Sequence, residues 1–173
     1  MASLPDVNSL NSLPVEQQTN VLDALFEPSP AIHAILLPSI SATHFQSYGE
    51  FINQTQKIFE ALVTDPTQKE QLHSIIGSHP RLGAKKVESA QSAAEQAQLQ
   101  SGDATELAAL NAEYEAKFPG LRYVVFVNGR GRPEIMENMR ARISRGDLAL
   151  EELAAVQAST PLNLDPVDIL LIR

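Results

Sequence analysis

The sequence predicts an all-α fold: a single-domain helical bundle of about seven to eight helices. Three observations carry this. Apolar residues recur at i, i+3 and i+4 through most of the chain. Prolines cluster before residue 40 and after residue 160, outside the longest periodic runs. The chain has 173 residues, 43% hydrophobic and 20% charged, which is ordinary for a soluble globular protein and enough to bury a core unaided. No internal repeat or low-complexity linker divides it, so residues 1–173 are expected to form one domain.

The elements follow in order. Residues 15–26 place Val15, Val21, Leu22, Leu25 and Phe26 on one helical face, and Glu27-Pro28-Ser29-Pro30 stops that helix. Ala31 to Leu37 is a short apolar helix that Pro38 is expected to end. Residues 43–63 set Phe45, Tyr48, Ile52, Ile58, Phe59 and Leu62 at helical spacings. Residues 67–76 do the same with Leu72, Ile75 and Ile76, and Gly77 is the expected C-cap. A helix rich in Ala and Gln covers 89–100. Asp103 and Glu106 then have the spacing of a capping box before a helix carrying Leu107, Leu110, Tyr114 and Phe118. Gly129-Arg130-Gly131-Arg132-Pro133 is a turn into a helix from about Pro133 to Arg145. Gly146-Asp147 breaks it, and a last helix runs from Leu148 to Ala158. Tyr123-Val124-Val125-Phe126-Val127 has strand composition but no partner strand. It is expected to be a buried extended or irregular segment inside an all-helical domain.

Composition excludes several classes of function. Lys plus Arg is 13 against 21 Asp plus Glu, a net charge of −8, so a broad basic face for nucleic acid is not expected. There is no cysteine, which removes disulfides, thiolate metal sites and cysteine nucleophiles. No apolar run reaches the length of a membrane span. Met1 to Asn8 carries Asp6 and no Lys or Arg, unlike a signal or transit peptide. Leu170-Leu171-Ile172-Arg173 is unlike the Ser-Lys-Leu type of peroxisomal address, so a cytoplasmic location is favoured over a peroxisomal one.

Candidate chemistry falls at three places. In Ser78-His79-Pro80-Arg81-Leu82-Gly83, Pro80 pushes His79 out of helical conformation onto a loop past a helix end. An imidazole there can donate or accept a proton near neutrality, or simply cap the helix. In Ser92-Ala93-Ala94-Glu95-Gln96, Ser-x-x-Glu is the spacing of a capping box. If the helix starts earlier, near Ser89, then Ser92, Glu95, Gln96 and Leu99 instead share one face and can read a polar ring. On the helix from Pro133, taking Ile135 as zero at about 100° per residue, Met139 falls near ~40° and Arg142 near ~−20°, beside the apolar stripe, whereas Arg140 falls near ~140°, toward solvent. Arg142 is therefore the better arginine for a carboxylate or planar polar ligand, unless it snorkels. The four histidines, His33, His44, His73 and His79, lack metal-site spacing, and no phosphate loop, nucleophile elbow or dinucleotide motif occurs. No metal or cofactor is expected.

Taken in order, these motifs resemble a known family. His79-Pro80 precedes Leu82-Gly83. Then come Ser92-x-x-Glu95-Gln96, Leu110-Asn111-x-x-Tyr114-x-x-Lys117-Phe118, Tyr123-Val124-Val125 with Asn128-Gly129-Arg130, and Arg142-Ile143. Upstream, Leu25-Phe26-Glu27-x-Ser29-Pro30 adds to the pattern. The combination resembles 2-oxo-4-hydroxy-4-carboxy-5-ureidoimidazoline (OHCU) decarboxylase over about residues 10–156. The resemblance implies an all-helical, often dimeric protein, hence a homodimer, that needs no cofactor. It implies the reaction too: the last step from urate to allantoin, in which a small-molecule ring carboxylate is lost to give (S)-allantoin. It further implies His79 as the catalytic residue with Glu95 supporting it. Pro80, Ser92, Gln96 and the stretch holding Leu121, Tyr123, Val124 and Val125 would then shape the pocket, and an arginine, with Arg142 the candidate, would hold the carboxylate. Two departures stand out. Arg122 occupies the place of a proline in the family's Phe-Gly-x-Pro-Phe-Val, and Pro161 to Arg173 differs from the family's Arg-Leu helix end. A second reading of the same residues is a non-catalytic acidic helical module for a partner protein, or an inactive paralogue. Convergence of the motif residues on one pocket separates the interaction module from the enzyme.

Overall fold

The computed structural model describes residues 4–84, 104–127 and 129–160. Among the described residues the fold is all-α, with no strand. A 3-10 helix, Val7–Ser12, leads into α1 (Val15–Leu25), α2 (Pro30–Ala42) and α3 (Tyr48–Thr64). A 3-10 turn, Pro66–Gln68, precedes α4 (Lys69–Gly77), which is followed by α5 (Ala104–Lys117), α6 (Arg132–Arg145) and α7 (Leu148–Ser159). The expected helix over 89–100, the Asp103 cap and the segment 161–173 lie outside the described residues.

Four local expectations are corrected. Val15 is 63% exposed rather than on the buried face of α1. Gln18 is buried there instead, its amide donating to the Leu10 carbonyl at 3.0 Å. Pro38 does not end α2, which runs on to Ala42. Proline removes the N–H that would reach the Ala34 carbonyl, but Ala34 and Pro38 are both exposed, so the lost bond falls on the solvent side of the helix. Burial of Ile32, Leu36 and Ile40 on the opposite face carries the helix through. α3 starts at Tyr48, not near residue 43, because Ser47 caps it: its hydroxyl accepts from the Glu50 N–H at 3.1 Å, and the Glu50 carboxylate accepts from the Gln46 N–H at 2.7 Å. Gly77 is the last residue of α4, and Ser78, still right-handed, is its C-cap.

Helices α1 and α2 pack together, α3 lies against α4 and α7, α2 and α7 also meet α4, and α5 pairs with α6. Their apolar stripes close one core. Phe26, Phe45, Phe51 and Phe59 form its aromatic centre, Phe45 meeting Phe51 edge-on at 5.1 Å. The buried Leu72, Ile75 and Ile76 of α4 and Leu107, Leu110, Tyr114 and Phe118 of the α5 region match the periodicity of the sequence.

The Leu121–Val127 segment is irregular, in keeping with its lack of a strand partner among the described residues. It begins at Gly120, whose φ of +88° favours glycine; a Cβ there would stand 2.8 Å from His73 Nδ1. Arginines take several of its carbonyls. Arg142 Nη1 donates to Val124 O at 3.0 Å, Arg130 Nη2 to Phe126 O at 2.5 Å and Arg130 Nε to Val127 O at 3.2 Å. Guanidinium groups thus stand in for the missing partner strand.

Candidate active site

His79 sits where α4 runs out. Its N–H still reaches the Ile76 carbonyl at 3.3 Å, and Pro80 then turns the chain away. The loop behind it is pinned by the Leu-Asn-x-x-Tyr motif of α5, since the Asn111 amide donates to Leu82 O at 2.9 Å. Gly83, at φ +81°, lets the chain pass Leu107, whose Cδ2 would be 2.7 Å from an added Cβ. Arg81 turns outward and grips both carboxylate oxygens of Glu115, at 2.6 and 2.7 Å.

As a whole residue His79 is half-buried. Its Nε2 lies 2.8 Å from the Ser159 hydroxyl at the end of α7, and that hydroxyl donates its proton to the Ala155 carbonyl at 2.7 Å. With its one proton spent, Ser159 accepts from His79 Nε2–H, and Nδ1 is left as the basic nitrogen. Burial holds the His79 pKa below its ordinary value; Glu27 pulls the other way, and Arg122 adds to the depression. The ring is therefore a neutral imidazole at pH 7, with a donor side and an acceptor side. Arg122 reaches it from the 121–127 segment, Nη1 donating to the His79 carbonyl at 2.6 Å.

Arg142 is on the buried side of α6, 7% exposed, and Arg140 is exposed, as the helical phase predicts. The Arg142 guanidinium is engaged. Its Nε donates to Glu151 at 2.6 Å, Nη1 takes the Val124 carbonyl, and the group lies 4.7 Å from the Tyr123 ring centroid. Glu151, fully buried, also accepts from Arg145 at 2.5 Å and from the Tyr114 hydroxyl at 2.8 Å. The Tyr123 hydroxyl donates to Asn138 at 2.7 Å, and burial first of all raises its pKa to about 12.

Of the residues singled out in sequence, His79 is joined to the 121–127 segment through Arg122, whose Nη1 donates to the His79 carbonyl. Val124, Val125 and Arg142 line a cavity of about 420 Å³ with Arg130, Asn138 and Arg145; His79 is not among the lining residues. Leu121 and Tyr123 are buried in the core beside it. Ser92, Glu95 and Gln96 lie outside the described residues. Sequence reasoning passed over Ser159, Glu151 and the position of Glu27 against His79. The first two had a signal: Glu151, Ala155 and Ser159 repeat every four residues and so share the buried face of α7. Among the described residues, no group of three metal-ligating side chains stands together. No helix among them is long and apolar enough to cross a membrane.

Fold and site define an all-α protein with a histidine at a helix end, held between Ser159 and Arg122. The chain matches the OHCU decarboxylase family over residues 11–164 and belongs to that family, one of urate-degradation decarboxylases acting on a small-molecule substrate. No curated protein matches the chain.

Proposed function

We propose that this protein decarboxylates 2-oxo-4-hydroxy-4-carboxy-5-ureidoimidazoline to (S)-allantoin, as one domain over residues 1–173 and without a cofactor. The observation that carries the reading is His79: an imidazole held neutral by burial, with Nε2 on the Ser159 hydroxyl and no hydrogen bond to Nδ1 among the described residues. In the reaction the bond between C4 and the carboxylate breaks and CO₂ leaves. Its electron pair stays in the conjugated ring, and a proton is then delivered to the carbon bearing the ureido group. The substrate is thus its own electron sink, and the protein supplies position and proton transfer. His79 is the proton carrier, and delivery from one side of the ring gives a single enantiomer. Glu95 orients or recharges the imidazole. Pro80, Ser92, Gln96 and the Leu121–Val125 backbone seat the ring and its ureido arm, and Arg142 holds that wall in place through the Val124 carbonyl.

The test generates the unstable substrate in situ with urate oxidase and the hydrolase that follows it, and records (S)-allantoin by circular dichroism. Faster and enantioselective appearance with the protein is expected. A rate equal to the spontaneous one overturns the reading.

A further inference from the structure

We propose that Arg122 receives the carboxylate that the reaction removes, and so makes the site selective for a carboxylated ring. This rests on the decarboxylation reading above. Arg122 is half-buried and is anchored on the His79 carbonyl through one Nη1 bond of 2.6 Å. A guanidinium has five N–H donors in a fixed fork, and among the described residues only this one of them is engaged. No carboxylate forms an ion pair with it among the described residues.

Three neighbouring arginines are paired with carboxylates, although Arg142 keeps a buried Nη2 without a hydrogen-bond partner among the described residues. Arg142 and Arg145 share Glu151, and the Arg81 fork takes both oxygens of Glu115. Glu115 feels Arg122 only as a further charge that helps keep its carboxyl ionised. The last turn of α7, which meets His79 through Ser159, carries no basic residue. Among the described residues, the positive charge at the imidazole is therefore that of Arg122, and it opposes protonation of His79. A cation so placed attracts an anionic substrate and keeps the ring in its basic form until the substrate arrives.

The chemistry makes a distinctive demand. The carboxylate charge is full in the bound substrate and is lost as CO₂ departs, its electron pair passing to the ring. An arginine on the carboxylate therefore grips the ground state at least as well as the transition state. Its removal should raise KM more than it lowers kcat.

The experiment measures kcat and KM for the wild type, Arg122→Gln and Arg122→Lys with substrate generated in situ, and the affinity of each for (S)-allantoin by calorimetry. Allantoin has the ring and ureido arm but no carboxylate. Arg122→Gln should raise KM by about ten- to a hundredfold, the loss of charge-assisted hydrogen bonds, with a smaller fall in kcat. Allantoin affinity should be unchanged, and Arg122→Lys should recover part of KM. An unchanged KM in Arg122→Gln overturns the assignment. So does a loss of allantoin affinity matching the rise in KM, which would make Arg122 a support of the His79 loop. A wild type that does not turn over at all overturns the decarboxylation reading itself, in an arm that contains no variant.

Discussion

The Ser159 hydroxyl lies 2.8 Å from His79 Nε2, and its own proton is committed to the Ala155 carbonyl. A residue at the last turn of α7 thereby chooses the tautomer of an imidazole eighty positions earlier. Ser159→Ala removes that acceptor and lets the ring rotate. Turnover should fall by roughly two- to tenfold, the worth of one neutral hydrogen bond, with secondary structure intact. Steady-state rates and far-UV circular dichroism check it; an unaltered rate means that Ser159 does not orient the ring.

The depressed pKa of His79 has a consequence for stability. Folding favours the neutral ring, so between the folded value and the ordinary value of 6.5 the unfolded chain binds more protons. This contribution is complete above about pH 6.5 and is lost as pH falls through that value toward the folded pKa. The thermal midpoint should decline from pH 7 to pH 5 more steeply in the wild type than in His79→Asn. Parallel declines would remove His79 as the cause.

Glu151 is fully buried and held by Arg142, Arg145 and Tyr114. Taking away Arg142 leaves Glu151 only Arg145 and the Tyr114 hydroxyl and leaves the Val124 carbonyl without its donor, so Arg142→Ala should cost about 1–3 kcal/mol of stability. Arg140 pairs with Glu106 on the surface, where such pairs contribute about 0–1 kcal/mol, so Arg140→Ala should be nearly silent. Urea unfolding of both variants decides the matter, and equal losses would refute the contrast.

Gly120 launches the 121–127 segment with φ of +88° and His73 packed where a Cβ would go. His73 is itself tied to the buried Glu152 at 2.8 Å and has little room to retreat. Gly120→Ala combines a left-handed backbone penalty of about 1–2 kcal/mol with that clash. Gly129, at φ of +72° with nothing within 4 Å among the described residues, should show the backbone penalty alone. Comparing the two thermal midpoints tests whether the His73 contact matters.

Much of this was legible in the chain. Leu72, Ile75 and Ile76 betray α4 by spacing alone, and Asp147 marks its helix start because a short carboxylate after Gly146 caps the N–H of Leu150 at 3.0 Å. The phase of α6 separates Arg142 from Arg140 for the same geometric reason. Pro38 was misleading because a helix can lose one bond where that bond faces water, which local sequence does not reveal. The Ser159–His79 contact was illegible for a deeper reason: it is long-range, made by the packing of α7 on α4, and no periodicity connects residues so far apart. Tyr123, Val124 and Val127 are buried, and with no partner strand among the described residues it is the arginines that satisfy carbonyls of this segment.

The last prediction joins His79 to Glu95. If His79 carries the proton and Glu95 orients or recharges it, the pair acts as one unit, and effects within a unit are far from additive. His79→Asn should remove about 10²–10⁴-fold of turnover, the usual worth of a general acid–base group. The fold should survive, because His79 stands on the loop after α4 and is not part of the apolar core. Glu95→Gln should slow turnover as well, yet adding it to His79→Asn should cost little more. The alternative has Ser92 and Glu95 as a capping box and nothing else. Glutamine is also a good residue at that position, so Glu95→Gln would then leave both turnover and thermal midpoint nearly unchanged. The double-mutant cycle is read in turnover and in thermal midpoint together. A small coupling in turnover, with each variant acting independently, would separate the two residues. Near-normal turnover in His79→Asn would remove the imidazole from the mechanism altogether.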